Sequence, residues 1–222
     1  MRYLDLLTAL FATVLLVSNV ASTKLVVLGP FTFDGGTLLF PLAYIFGDVL
    51  TEVYGYRKSR RVIWIGFFAL LLATLTFQAV AHLPAPPDAE SQRCGGAFGL
   101  LLGLAPRIVL GSLLAYFLGE FANAYVLAKL KVRTEGRFFW LRALASTLVG
   151  QGLDTGVFLL VAFYGVFPKE VLLAVFLSNY AFKLGVEALM LPFTYAVVGF
   201  LKRAEGMDAY DRDTDFNPFR LT

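Results

Sequence analysis

Four hydrophobic segments of this sequence carry carboxylates near their centres. The carboxylates are Asp48, Glu120, Asp154 and Glu187, and Lys183 lies one helical turn before Glu187. A charged side chain at the centre of a bilayer costs roughly 2.5–3.5 kcal/mol on insertion scales. A purely structural helix has nothing to offset this cost, so charges at this depth indicate a polar site or pathway inside a helix bundle. The pattern therefore predicts a transporter.

The composition is that of an integral membrane protein. The chain has 222 residues, of which 58% are hydrophobic and 16% charged, and its mean hydropathy is +0.72. Soluble domains have about 45–50% apolar and about 25% charged residues. Because about 20 apolar residues cross a bilayer, we expect an all-α, multi-pass protein forming a single domain over residues 1–222. The six predicted transmembrane helices span residues 4–23, 37–55, 62–82, 106–130, 142–164 and 171–200.

The distribution of lysine and arginine predicts the orientation of these helices. Fourteen of the 19 Lys and Arg residues lie at one set of loops and termini, four lie in the opposite loops, and Lys183 lies inside a helix. Cytoplasmic loops carry the excess of positive charge, so both termini are predicted to be cytoplasmic. The alternative that residues 1–22 form a signal peptide is disfavoured, because the apolar run is long and Ser18 and Asn19 interrupt its end.

Three segments outside the predicted helices have sequence patterns that indicate their structure less clearly. Residues 25–36 are expected to form an extended outer hairpin or re-entrant flap with a turn at Gly29-Pro30. Residues 83–105, rich in Pro, Gly and Ala, are expected to form an outer loop whose apolar part, 99–104, lies in the membrane interface. The polar tail after Arg203 is expected to be only partly ordered.

The ionisable groups of the predicted helices fall at similar depths. At 1.5 Å per residue, all five lie within about 5 Å of one plane. A second set of polar residues lies on the same helices: Asn19, Tyr44, Glu52, Asn123, Gln151 and Asn179. These groups could instead serve as interhelical hydrogen bonds or a buried ion pair that joins helices. One lysine does not neutralise four carboxylates, so the layer suits a cationic or donor-rich substrate, or proton coupling.

Other chemistries find little support in the sequence. The single cysteine, Cys94, and the single histidine, His82, do not supply a metal cage, and neither a nucleophile–base pair nor a phosphate-binding loop is evident. We therefore expect no catalytic residue, cofactor or metal. The expected partners are a small molecule and the lipid bilayer, but no nucleic acid. The small residues Gly111, Ala115 and Gly119 form a helix-packing face that would permit a homodimer.

One stretch resembles a known family. Residues 40–56, FPLAYIFGDVLTEVYGY, followed by Arg60-Arg61, are similar to the signature of the queuosine-precursor transporter family, also called the VUT family. Gln151 stands at a position that varies in the family. Further matching segments run along the chain: Ser18-Asn19 with Lys24, Pro106-Arg107, Gly111-Ser112, 119–123, 140–142, Ser146-Thr147, Gly150, Asp154, Ala162-Phe163, Tyr180, Lys183, Glu187, Pro192 and 215–219.

The resemblance implies uptake of a purine-like 7-deazaguanine precursor of queuosine across a bacterial inner membrane. It also implies an architecture similar to the six-helix substrate-binding subunits of energy-coupling-factor transporters, without their ATPase module. A carboxylate would accept the ring N1–H and the 2-amino group together, while Lys183 or an amide would donate to the 6-oxo group. Two alternatives stay open: a proton- or cation-coupled carrier of another nucleobase- or vitamin-like solute, and a scaffold or binding subunit that needs an external motor.

Overall fold

The computed structural model describes residues 2–28, 31–103 and 106–220, with only the backbone described at 25, 28, 31–34, 37, 38, 40 and 41. It is a bundle of seven helices and one hairpin within these ranges. The elements are α1 (Leu4–Ala21), β1 (Leu25–Leu28), β2 (Phe31–Asp34), a 3₁₀ turn (Gly35–Leu38), α2 (Phe40–Tyr54), α3 (Tyr56–Ala81), α4 (Ala89–Leu102), α5 (Pro106–Arg133), α6 (Phe139–Phe163) and α7 (Lys169–Glu205).

Each of the six predicted transmembrane segments overlaps one of these helices. Within the described ranges, five helices are long and apolar enough to cross a membrane: α1, α3, α5, α6 and α7. Among the six helices that overlap predicted segments, α2 is the exception, because it has only 15 residues. It ends at Tyr54. The next residue, Gly55, has a φ of 81°, which suits glycine because glycine has no Cβ, and α3 begins directly after it. The chain therefore turns sharply between α2 and α3 without a loop.

The predicted extended hairpin is present. Strands β1 and β2 pair antiparallel with Leu25 opposite Asp34 and Leu28 opposite Phe31. The predicted turn at Gly29-Pro30 lies outside the described residues.

The prediction of a loop over residues 83–105 was wrong in part, because residues 89–102 form α4. Asp88 caps this helix by accepting a hydrogen bond from the Ser91 backbone N–H at 2.8 Å, which satisfies one of the free amides of the first turn. The same hydrogen bonding lowers the pKa of Asp88. The Pro, Gly and Ala content suggested a loop, but the prolines all precede the cap and leave the helix uninterrupted.

The tail also differs from the expectation of partial order. Arg60 on α3 donates from Nη1 to the carbonyls of Asp215 and Asn217, at 2.9 and 2.6 Å. Trp64 Nε1 donates to the Pro218 carbonyl at 2.8 Å, and the buried Asp211 accepts from the Tyr56 amide at 2.9 Å. The side chains of Arg60 and Trp64 thus bind backbone carbonyls of the tail, and the Tyr56 amide binds its Asp211 carboxylate.

Glycines bring α5 and α6 into close contact. A Cβ atom on Gly119 would lie 2.8 Å from Asp154 Cβ and 3.0 Å from the Gly150 carbonyl oxygen, and one on Gly150 would lie 2.8 Å from Asn123 Cβ. A Cβ on Gly111 would lie 3.4 Å from Ala162 Cβ. The small-residue face of α5 is therefore covered by α6 of the same chain, and it does not offer a surface to a second copy.

Candidate functional site

A cavity of about 370 Å³ lies between α1, α2, α3, α5, α6 and α7. It is bounded by the C-terminal ends of α1 and α6 and the N-terminal halves of α2, α5 and α7. It therefore lies towards the end of the bundle whose loops hold only four of the 19 Lys and Arg residues. Its volume is at the lower end of the range for small-molecule sites.

The charged groups of the cavity come from three helices. Lys183 on α7 donates from Nζ to Asp154 Oδ2 on α6 at 3.1 Å and to Thr155 Oγ1 at 3.3 Å. Glu120 on α5 also lines the cavity, and among the described residues no basic side chain forms an ion pair with it. The Gly119–Gly150 contact places Glu120 beside Asp154. Within the described part of the chain, the cavity thus presents the Glu120 carboxylate, which has no counter-ion there, next to the Asp154–Lys183 ion pair.

Amides and aromatic rings complete the lining. Asn123 and Gln151 are buried, and each has a side-chain oxygen without a hydrogen-bond partner among the described residues. The Tyr116 hydroxyl donates to the Ile63 carbonyl at 3.0 Å, so this side chain offers mainly its ring. The remaining polar or aromatic lining residues include Ser18, Asn19, Tyr44, Ser112, Phe158 and Asn179. These groups could meet the polar edges and the flat faces of a heterocycle.

Asp48 and Glu187 lie one helical turn away from this lining. Asp48 follows Tyr44 by four residues on α2, and Glu187 follows Lys183 by four on α7, so each sits about 6 Å further along its helix. The two carboxyl groups lie next to each other, and they are 0% and 1% exposed. Asn123 Nδ2 donates to Asp48 Oδ1 at 3.1 Å. We call Asp48 and Glu187 the carboxyl pair.

Glu52, one turn beyond Asp48, belongs to a separate ion cluster. Its carboxylate accepts from Arg142 Nη1 at 2.5 Å and from Lys202 Nζ at 2.7 Å, and Lys131 donates to its backbone carbonyl at 2.6 Å. Asp208 of the tail pairs with both lysines. Burial raises the pKa of Asp208, but hydrogen bonds from these lysines outweigh it and hold the pKa below its ordinary value. We call these five residues the ion cluster.

The structure thus divides the sequence-predicted residues into three groups. The cavity is lined by Asn19, Tyr44, Glu120, Asn123, Gln151, Asp154, Asn179 and Lys183. Asp48 and Glu187 lie beyond its lining, and Glu52 lies in the ion cluster, away from the cavity. Depth estimates from helix boundaries did not separate residues one turn apart, which explains why one layer was expected. The predicted set omitted Ser18, Ser112 and Thr155, although Ser18 and Thr155 adjoin predicted residues in sequence.

No group of three or more His, Cys, Asp or Glu side chains in the described part of the chain is arranged to hold a metal ion.

Comparisons with known proteins agree on one family. A family model described as "putative vitamin uptake transporter" matches residues 34–197. The "Probable queuosine precursor transporter" of Bacillus subtilis (strain 168) is 36% identical over 188 residues, covering 84% of this chain and 80% of the relative. The "Queuosine precursor transporter" of Escherichia coli (strain K12) is 26% identical over 166 residues, covering 73% of this chain and 71% of the relative. No solved structure matches the protein. The match of the family model over most of the chain, together with the Bacillus relative, shows that this protein belongs to the vitamin uptake transporter family.

Proposed function

We propose that this protein takes up a 7-deazaguanine precursor of queuosine through the cavity between its helices. The relatives are queuosine precursor transporters by name, and this protein is a multi-pass inner-membrane transporter rather than an enzyme. The observation that carries the substrate proposal is the cavity lining, in which Glu120 has no counter-ion among the described residues and lies beside the Asp154–Lys183 ion pair.

The chemistry of the lining fits a deazaguanine ring. A carboxylate at Glu120 would accept the ring N1–H and the 2-amino group in two charge-assisted hydrogen bonds. The ammonium group of Lys183 has three N–H donors, so Lys183 would keep its ion pair with Asp154 and also donate a hydrogen bond to the 6-oxo group. The aromatic side chains Tyr116 and Phe158 would contact the ring faces. The same lining would accept other donor-rich solutes, so an alternative is a proton- or cation-coupled carrier of another nucleobase- or vitamin-like molecule.

We further propose a single domain over residues 1–222 with six membrane crossings and both termini in the cytoplasm. The 3₁₀ turn (Gly35–Leu38) and α2 (Phe40–Tyr54) would together rise by about 30 Å along one axis, at about 2.0 and 1.5 Å per residue, which matches the hydrocarbon core. The cavity then faces outward, and the ion cluster lies at the cytoplasmic end. This arrangement would be similar to the substrate-binding subunits of energy-coupling-factor transporters. A reporter protein that is active only in the cytoplasm should therefore be active when it is fused to the C-terminus.

Exchange in proteoliposomes tests the transport proposal. Vesicles loaded with unlabelled 7-cyano-7-deazaguanine should take up the labelled compound through the purified protein alone, without an ATPase. A Glu120→Gln variant should exchange more slowly, whereas Glu170→Gln, at an exposed position near the start of α7, should match the wild type. Competition by purines, pterins and vitamins would identify the preferred class. Absence of exchange by the wild-type protein would refute the proposal, and equal exchange by Glu120→Gln would remove Glu120 from the site.

A further inference from the structure

The carboxyl pair is buried, and no counter-charge lies against it among the residues that the structure describes. Of the four carboxyl oxygens of Asp48 and Glu187, Asp48 Oδ1 accepts a hydrogen bond from the Asn123 amide. Asp48 Oδ2 and both oxygens of Glu187 have no partner among the described residues. A buried polar oxygen without a donor is costly, and an uncompensated carboxylate in the membrane interior is more so. The pair therefore lacks at least one positive charge or donor.

The surroundings of the pair do not supply that charge. The titratable groups that face it are Tyr44 and Glu52 on α2 and Glu120 on α5, with Asp154 on α6 and Lys183 on α7 one turn nearer the cavity. Lys183 pairs with Asp154. The cations of the ion cluster pair with Glu52 and Asp208. No described basic side chain forms an ion pair with either member of the carboxyl pair.

A bound proton would supply the positive charge that the carboxyl pair lacks among the described residues. Two ionised carboxylates only accept hydrogen bonds, so two adjacent carboxyl groups bond to each other only when one of them is protonated. Two adjacent carboxyl groups do not both ionise in a site of low dielectric constant, because their negative charges repel. A proton held by either carboxyl group supplies the missing positive charge and also provides a donor for one of the oxygens without a partner.

We propose that the carboxyl pair is the proton-binding site that couples transport to the pH gradient. The inference rests on the proposed function, because it assigns the driving ion of the same carrier. The pair lies between the cavity and the ion cluster, and Glu120 links it to the cavity: a Cβ atom on Gly47, the neighbour of Asp48, would lie 3.4 Å from Glu120 Oε2. The pair binds a proton from the outer solution, and releases that proton to the cytoplasm after the cavity opens inward.

Accumulation driven by a pH gradient tests this proposal. Proteoliposomes with the membrane potential held at zero by valinomycin and equal potassium are given an acidic outer solution. For one proton per neutral substrate, a gradient of one pH unit should drive about tenfold accumulation of labelled 7-cyano-7-deazaguanine. Exchange without a gradient is measured in parallel. If exchange occurs without accumulation, the proton inference fails while the proposed function stands; if exchange is absent, the proposed function itself fails.

Neutral variants locate the coupling site. Asp48→Asn and Glu187→Gln imitate the protonated carboxyl, so each should exchange substrate yet lose the accumulation driven by the pH gradient. Asp213→Asn and Glu170→Gln make the same chemical changes at exposed positions and should accumulate like the wild type. Pair variants that still accumulate substrate would overturn the proposal.

Two further outcomes would also overturn it. If both pair variants lose exchange as well as accumulation, the pair belongs to substrate binding or to folding rather than to coupling. If a sodium gradient at constant pH drives accumulation in the wild type, the coupling ion is not the proton. The wild-type protein offers an independent readout, because addition of 7-cyano-7-deazaguanine to weakly buffered detergent solution should change the pH, and the Glu187→Gln variant should show no such change.

Discussion

Replacing Gly119 by alanine should loosen the contact on which the cavity depends. The added Cβ atom would lie 2.8 Å from Asp154 Cβ and 3.0 Å from the Gly150 carbonyl oxygen, distances at which the two helices must move apart. Overpacking of this kind costs about 1–3 kcal/mol. A glycine-to-alanine change inside a helix also gains about 1 kcal/mol in helix propensity. We therefore expect Gly119→Ala to lower the free energy of unfolding by roughly 0–2 kcal/mol.

A matched glycine separates these two effects. Gly185 lies in α7, and a Cβ atom added there would have no described atom outside its own helical turn within 4 Å, so Gly185→Ala gains the propensity contribution alone. The difference between the two variants should be about 1–3 kcal/mol. In a chain of this length 1 kcal/mol shifts the melting temperature by roughly 2–4 °C. Thermal denaturation in detergent should therefore place Gly119→Ala several degrees below Gly185→Ala, with slower substrate exchange because Asp154 is displaced. Equal melting temperatures and equal exchange would refute the argument that this contact positions the site.

Three further predictions concern the charged groups. Glu52→Gln leaves Arg142 buried without its counter-ion, and should destabilise the protein by about 3–5 kcal/mol; a melting temperature equal to that of the wild type would contradict this. Asp211→Ala removes the tail carboxylate that accepts from the first amide of α3 and should cost about 0.5–2 kcal/mol, as loss of a helix cap does, whereas Asp213→Ala at an exposed position should change little. Lys183→Met should weaken binding of 7-cyano-7-deazaguanine in calorimetry by about 1.5–3 kcal/mol, the contribution of a charged hydrogen bond, and unchanged affinity would exclude Lys183 as a substrate donor.

Hydrophobic patterning predicted the helices well, because a membrane helix must satisfy its own backbone and its length follows from the bilayer. It failed for α4 and for the tail, where a local cap or tertiary contacts determine the structure. Helix α4 depends on the Asp88 cap, a single side chain within a segment whose composition suggested a loop. The order of the tail depends on Arg60 and Trp64, which lie some 150 residues earlier in the chain. A pattern within the tail alone does not reveal these donors.

Residue type predicted which side chains avoid lipid, but not how they divide among sites. Asp48 and Glu52 belong to one polar stripe of α2, yet one is adjacent to Glu187 and the other to Arg142. The partner of each carboxylate depends on which helix packs opposite it at that level. The packing of α5 beside α2, for example, places the Asn123 amide within hydrogen-bond distance of Asp48. The spacing of residues along a helix therefore predicts that its polar side chains share one face, but it does not predict which partner each carboxylate has.

The cavity, the carboxyl pair and the ion cluster each take one side chain from α2. Tyr44 lines the cavity, Asp48 belongs to the carboxyl pair and Glu52 belongs to the ion cluster, each separated by four residues on the same face. A helix is rigid over two turns, so a displacement of α2 changes the environment of all three side chains together. α2 is also short, and only Gly55, with its positive φ, separates it from α3. Under the proposed proton coupling, a movement of α2 would link occupancy of the cavity to protonation of the carboxyl pair through a single element, which is the physical requirement for coupling a solute to an ion.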